Sequence, residues 1–321
     1  MRFLGRELSG CVFLAPMAGV TDYAYRTVCA RHGAAVTVTE MVSSRALVYQ
    51  DKKSKALLRK NEGSLCGAQI FGNEPTIMAE AARLALAHSG CDFIDINMGC
   101  PMPKIANNGD GSALMKDPAL AGRIVRAVKD AVAVPVTVKT RLGWDKGSIN
   151  ILPFAQELEA NGVDAITVHG RTKTMLYTGV ADWDMIRKVT EAVKVPIVAN
   201  GDVFTPQDVL RCKMRSGASL FAVGRAAFGD PWVFERLSAA LEGREIPPLP
   251  CLADRMRTAL EQFCLACEDR GEHIACLEAR KHFAWYLRGV PHSAYYKEQI
   301  SRLSTAEEVQ TVVKAIVRDL R

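Results

Sequence analysis

The chain has 321 residues, 49% of them hydrophobic and 24% charged, with a formal net charge of +6. That balance excludes a disordered chain, and no apolar run reaches the ~20 residues that a membrane-spanning helix requires. The length admits one barrel-sized domain and a smaller second one, and the mild positive charge permits a polyanionic partner without demanding one. Ten cysteines follow no disulfide framework, and the start Met1-Arg2-Phe3-Leu4-Gly5-Arg6 turns charged too early for a signal peptide. Both point to reduced thiols in a cytoplasm.

From residue 12 to about 225, short β-rich runs alternate with longer helical patterns. Strands are predicted near 12–15, 36–39, 66–70, 93–97, 136–139, 165–169, 197–199 and 220–223, most of them nearly continuously apolar, as strands covered on both faces should be. Helical periodicity marks 75–88, 118–132, 150–161, 183–193 and 206–215. Eight strand-then-helix units predict a closed (β/α)8 TIM barrel. A doubly wound open sheet is the alternative, and the absence of GxGxxG speaks against it. After residue 230 the composition changes. The proline-rich run 245–250 suits a linker, and 252–321 reads as helical with breaks at 270–272, 289–291 and 301–305. This predicts a barrel domain over 1–243 and an all-helical domain over 251–321. Ser304 or Thr305 with Glu307 or Glu308 has the spacing of a capping box.

A barrel of this kind carries its active site at the C-terminal ends of the strands. Those positions hold Pro16-Met17-Ala18, Glu40, Gln69, Asn97, Cys100, Lys139, Arg141, His169, Asn200-Gly201-Asp202 and Gly224-Arg225. Cys100 precedes Pro101, which restricts it to an extended conformation and holds the thiol on a stiff hinge. Late strands ending in Gly201-Asp202 and Gly224-Arg225 suit a phosphate, because glycine lets backbone amides approach an anion and Arg225 pairs with it. Lys139, Arg141 and His169 gather three cationic or titratable groups on two neighbouring strands. In the helical part, Lys281, Trp285 and Arg288 share a face by i, i+4, i+7 spacing, a mixture suited to stacking on bases and neutralising phosphates. The opposing reading is a solvated face above a core of Phe283 and Leu287. Cys264 and Cys267 stand alone in a helical pattern and read as packing residues, and no cysteine–histidine spacing matches a closed zinc site.

The run Ile94-Asp95-Ile96-Asn97-Met98-Gly99-Cys100-Pro101 followed by Gly111-Ser112 resembles the signature of the tRNA-dihydrouridine synthases. Six further motifs agree in order: Ala15 to Asp22, Ala68 to Gly72, Lys139 with Arg141, Val168 to Arg171, Ala199 to Asp202, and Ala279 to His282 with Trp285-Tyr286. The last resembles the bacterial B-type branch. The resemblance implies FMN-dependent reduction of the C5–C6 bond of a uridine in tRNA, with NADPH regenerating the reduced flavin. It places Pro16, Met17 and Ala18 along the flavin, Gln69 and Lys139 on its ring with His169 nearby, and Asn200, Gly201, Asp202, Gly224 and Arg225 at the phosphate end. Cys100 becomes the proton donor, Asn97 and Arg141 bind the uridine, and the helical domain grips the tRNA. A monomer is expected. The family carries further basic residues after Lys104, where this chain reads Ile105-Ala106-Asn107-Asn108-Gly109-Asp110, so the loop beside Cys100 is less cationic. The competing functions are a small-molecule FMN oxidoreductase of the dihydroorotate or dihydropyrimidine dehydrogenase type, and a non-catalytic RNA-binding barrel.

Overall fold

The computed structural model describes residues 2–320, the side chain of Lys53 excepted. Eight parallel strands form a ring: β1 (Val12–Leu14), β2 (Val36–Val38), β3 (Leu65–Phe71), β4 (Phe93–Met98), β5 (Val136–Thr140), β6 (Ala165–His169), β7 (Ile197–Asn200) and β8 (Leu220–Val223). Each pairs with its successor, and β8 returns to β1 with Phe221 opposite Val12 and Val223 opposite Leu14. Closure removes both sheet edges and rules out the doubly wound alternative. Seven of the strands stay parallel because a helical crossover follows each one, and the helix Val233–Leu241 follows β8.

The crossover helices begin and end where the sequence says they must. Pro75, Pro118 and Pro206 open three of them at the position where a missing N–H costs nothing. Gly90 and Gly217 close two in the left-handed conformation. One apolar layer lies between strands and helices, and a second fills the barrel interior with Phe13, Val36, Phe93, Val198 and Leu220. Gly67 on β3 faces Phe93 so closely that a Cβ would sit 2.3 Å from its ring, so this glycine makes room for the interior aromatic. An antiparallel hairpin of Arg2–Phe3 with Arg6–Glu7, not foreseen from the sequence, packs Phe3 on Phe13 with ring centroids 5.1 Å apart. The two-residue strand Val42–Ser43 and the short helices Ser44–Val48 and Lys52–Ala56 were likewise not signalled by periodicity, being too short to show any.

Residues 242–251 are neither helix nor strand. Beyond them lie the helices Leu252–Arg270, Glu272–Tyr286, Ala294–Ile300 and Ala306–Asp319, with breaks at the expected places. Met1 and Arg321, the outer ends of the two expected domains, lie outside the described residues. The capping box forms, with the Thr305 side chain accepting from the Glu308 backbone and Glu308 accepting from Thr305 in return. These helices share a core of Met256, Phe263, Phe283, Tyr286, Ile300, Val309 and Ile316, into which Ala24 of the barrel helix Tyr23–Arg31 also packs. Ion pairs Arg31–Glu261, Arg59–Asp269 and Arg270–Glu40 tie the two parts together.

Candidate active site

A cavity of about 510 Å³ opens at the C-terminal ends of the strands. Its size falls in the range of small-molecule and cofactor pockets, roughly 300–1,000 Å³. Every strand-end residue singled out in the sequence lines it except Glu40: Pro16, Met17, Ala18, Gln69, Asn97, Cys100, Lys139, Arg141, His169, Asn200, Gly201, Asp202, Gly224 and Arg225. They converge because the last residue of each parallel strand points its chain into the same ring mouth.

Cys100 sits just beyond β4 on a loop pinned from both sides. Its N–H and that of Gly99 donate to Asn97 Oδ1 at 2.8 and 3.1 Å, and its carbonyl accepts from Ser112 N at 3.1 Å. The returning chain passes close enough that a Cβ on Gly111 would lie 3.1 Å from Cys100 Cβ, and Gly111 has a positive φ of 60°. Gly111 therefore has to be glycine for the loop to close over the cysteine. Burial pushes the Cys100 thiol up from its ordinary pKa, against the opposing pull of the Met102 backbone, Arg141 and Lys139. The thiol is neutral at physiological pH, the form that can give a proton.

Three nitrogen groups surround it with different charge states. Burial, then repulsion from Arg141, lowers Lys139 to about 8. Burial lowers Arg141 to about 10 while leaving it cationic. His169 is held well below its ordinary value by burial and by four neighbouring cations, led by Lys139, so it is a neutral imidazole. Arg141 donates from Nε to Gly99 O (3.0 Å) and from Nη1 to Thr172 O and Leu176 O (2.9 Å each), which ties the Cys100 loop to the loop after β6. Arg171 holds that same loop through Thr178 O and Gly179 O.

At the β7–β8 side, the Asp202 carboxylate is taken by Arg171 at 2.6 Å, by the N–H of Ala181 at 2.7 Å, and by Arg225 at 3.3 Å. Asp202 thus orients Arg225 and offers an anion no side-chain contact of its own, a finer assignment than its sequence position suggested. A Cβ on Gly201 would meet Ala181 at 2.8 Å and His169 at 2.9 Å, and one on Gly224 would lie 3.3 Å from Met17 Sδ. Neither position has free room for a side chain, so both line the cavity with bare backbone. With apolar Ala15, Met17, Ala222 and Val223 beside them, and Arg225 at its end, this half of the cavity fits a flat ring system carrying a phosphate.

Two placements differ from sequence expectation, those of Glu40 and Arg288. Glu40 does not line the cavity: its carboxylate accepts from Gly19 N and from Arg270 Nη2, so it joins the β1 loop to the C-terminal helices. Lys281, Trp285 and Arg288 lie outside the cavity lining. Helix Glu272–Tyr286 ends before Arg288, which lies in the following turn and does not continue the face of Lys281 and Trp285. Phe283 and Leu287 are buried as the opposing reading held, but Trp285 stacks on Phe228, a cavity residue, at 4.3 Å and 11°. Tyr177, exposed and 5.0 Å from the Arg225 guanidinium, lines the cavity without any motif having marked it. Its only sequence signal is an aromatic residue a few positions after Arg171. Cys264 is exposed and Cys267 half-buried.

The dihydrouridine synthase (Dus) family model matches residues 13–320. This chain belongs to the dihydrouridine synthase family. Its curated relatives include a probable tRNA-dihydrouridine synthase of Rhizobium leguminosarum bv. phaseoli, 44% identical over 86% of this chain and 84% of the relative. A probable tRNA-dihydrouridine synthase of Rickettsia conorii is 40% identical over 93% of this chain and 90% of the relative. The tRNA-dihydrouridine synthase B of Vibrio cholerae is 38% identical over 96% of each chain, in keeping with the B-type resemblance of the C-terminal motif. Among solved structures, 2-naphthoyl-CoA reductase superposes with a TM-score of 0.60 at 12% identity, over 76% of this chain and 52% of its own. Histamine dehydrogenase of Rhizobium sp. 4-9 gives 0.58 at 14%, over 83% and 50%. This chain spans about half the length of those two structures, which share its fold. No helix among the described residues is long and apolar enough to cross a membrane.

Proposed function

We propose that this chain reduces the C5–C6 bond of specific uridines in tRNA to 5,6-dihydrouridine, using FMN that NADPH reduces again after each turnover. The observation that carries the proposal is a neutral, half-buried thiol, Cys100, facing one cavity with Lys139, Arg141 and a glycine-lined end that carries Arg225. The names of the relatives support tRNA as the substrate. Pro16, Met17, Ala18, Gln69, Lys139 and His169 would line the flavin ring, and Arg225, with the backbone of Asn200, Gly201 and Gly224, its phosphate. When bound, the reduced flavin supplies the hydride that reaches C6.

The protein's own groups do the rest. The Cys100 S–H gives its proton to C5, and the thiolate left behind is reprotonated by water. Lys139 and Arg141 stabilise negative charge on the pyrimidine oxygen before that proton arrives. Arg141 holds three backbone carbonyls, so its remaining Nη2 is the group free for a ligand. A uridine in folded tRNA is stacked, so it must turn outward to reach the cavity. Lys281, Trp285 and Arg288 would meet the surrounding RNA, and a cytoplasmic monomer is sufficient for the reaction.

The test is a visible spectrum followed by NADPH turnover with unmodified tRNA, scoring the gain of two hydrogens by mass. Cys100→Ala should keep flavin and its reduction by NADPH while uridine reduction falls by about a hundredfold or more. Equal uridine reduction in Cys100→Ala removes the cysteine from its role. Activity on free pyrimidines alone replaces the proposal with a small-molecule oxidoreductase.

A further inference from the structure

A chain of buried hydrogen bonds runs beneath the cavity and reads in one direction only. At its upper end two backbone N–H groups, Gly99 and Cys100, both donate to Asn97 Oδ1. Asn97 must therefore turn its NH2 away from them, and Nδ2 donates to Gln69 Oε1 at 3.0 Å. Gln69 in turn must show its NH2 on the far side, where Nε2 donates to Asp95 Oδ2 at 2.6 Å. Asp95 Oδ1 accepts from Thr137 Oγ1 at 2.5 Å. Reversing either amide would set a donor against a donor at one end and two acceptors together at the other, an expensive arrangement at side chains this buried. Asp95 is 3% exposed and Gln69 1%.

We propose that Asp95 is a positioning residue: as the acceptor that ends this relay, it fixes Gln69 and Asn97 and so seats the loop that presents Cys100. Asp95 does not line the cavity, so it acts through Gln69 and Asn97, which do. A carboxylate suits the role because it accepts only, whatever rotamer it takes. The relay also leaves Asn97 with no acceptor to offer, since both contacts of Oδ1 are backbone N–H groups. Its Nδ2 donates to Met41 Sδ at 3.5 Å as well as to Gln69, so the amide is held on every side. The catalytic consequence rests on the uridine-reduction reading above; the relay itself does not.

Two variants with the same branching at Cγ separate acceptor from filler. Asp95→Asn keeps an acceptor for Gln69 and can preserve the direction, whereas Asp95→Leu leaves Gln69 Nε2 unpaired. Flavin-free protein is alkylated with iodoacetamide and Cys100 is followed on its own peptide by mass, alongside buried Cys66 and Cys212. We expect the Cys100 rate to stay near wild type in Asp95→Asn and to change by about threefold or more in Asp95→Leu, with Cys66 and Cys212 unaffected. In the loaded enzyme, kcat for tRNA should fall about tenfold or more in Asp95→Leu with a smaller change in KM, and much less in Asp95→Asn.

Should Asp95→Leu fail to fold, Gln69→Glu sets carboxylate against carboxylate and should disturb Cys100 alkylation, while Asp95→Asn with Gln69→Glu restores a donor between them and should return it to wild type. The proposal is overturned by unchanged Cys100 reactivity in Asp95→Leu and Gln69→Glu, by Asp95→Asn behaving like Asp95→Leu, or by equal changes at Cys66 and Cys212. Wild-type enzyme that reduces no uridine would overturn the reaction while leaving the alkylation result to decide the relay.

Discussion

Gly229 marks the place where the C-terminal helices rest on the barrel, and replacing it by alanine measures what that contact is worth. A Cβ at Gly229 would lie 2.2 Å from Trp285 C and 2.4 Å from both Trp285 O and Tyr286 N. Ordinary contacts begin near 3.4 Å, so the Trp285–Tyr286 peptide must retreat by about 1 Å. Backbone cannot rotate out of the way as a side chain would. The residue also has a φ of 68°, which costs a non-glycine residue about 1–2 kcal/mol. Retreat loosens the Trp285–Phe228 stack, worth about 0.5–1.5 kcal/mol. Together these come to about 1.5–3.5 kcal/mol. Gly243→Ala supplies the control, because Gly243 has a φ of 67° with open space around it. We expect Gly229→Ala to lower the thermal midpoint by roughly 1–5 °C beyond the control, which shares the backbone cost and lacks the clash. It should also quicken proteolysis within residues 242–251 and raise KM for tRNA, while NADPH oxidation without tRNA stays near wild type. Gly229→Ala matching Gly243→Ala in all of these would refute the argument that this contact holds the helices in place.

Lys139, lowered to about 8 by burial and Arg141, is charged below that pH and neutral above it. Uridine reduction should fall as pH rises through about 8, and a kcat profile flat to well above that point would count against a charged Lys139 in the reaction. By linkage, ligand-free protein gains stability from about pH 8 toward the ordinary lysine value, because the native state releases that proton first. His282 is buried between Tyr25 and Trp285 with neither ring nitrogen hydrogen-bonded, and burial lowers it to about 3. Unfolded chains take up this proton near the ordinary histidine value and the native state does not, so stability declines as pH falls below it. His282→Leu should flatten that acid limb in urea titrations and leave stability at neutral pH unchanged or higher; a large loss at neutral pH would mean the imidazole has a partner. Lys281→Ala and Arg288→Ala should each weaken tRNA binding and reduce the salt slope by about one. Binding with an unaltered slope assigns those cations to the protein's own surface.

The repeating order of strands and helices, the closed barrel and the break before residue 252 were all legible in the chain itself. Doubly covered parallel strands are apolar along their length, and Pro75, Pro118, Pro206, Gly90 and Gly217 punctuate the helices between them. Fourteen cavity residues could be named in advance for the same reason: a (β/α)8 ring sends every strand's last residues to one mouth. Tertiary structure alone decided what those residues do to one another. No local signal distinguishes Glu40, which spans Gly19 and Arg270, from its neighbours that face the cavity, because its partner lies 230 positions away. Tyr177 reaches the cavity only because Arg141 and Arg171 hold its loop by backbone carbonyls. The direction of the Asp95–Gln69–Asn97 relay depends on donors and acceptors brought together from three strands. Sequence periodicity specifies which face a residue occupies; which partner stands opposite is set by how the ring closes.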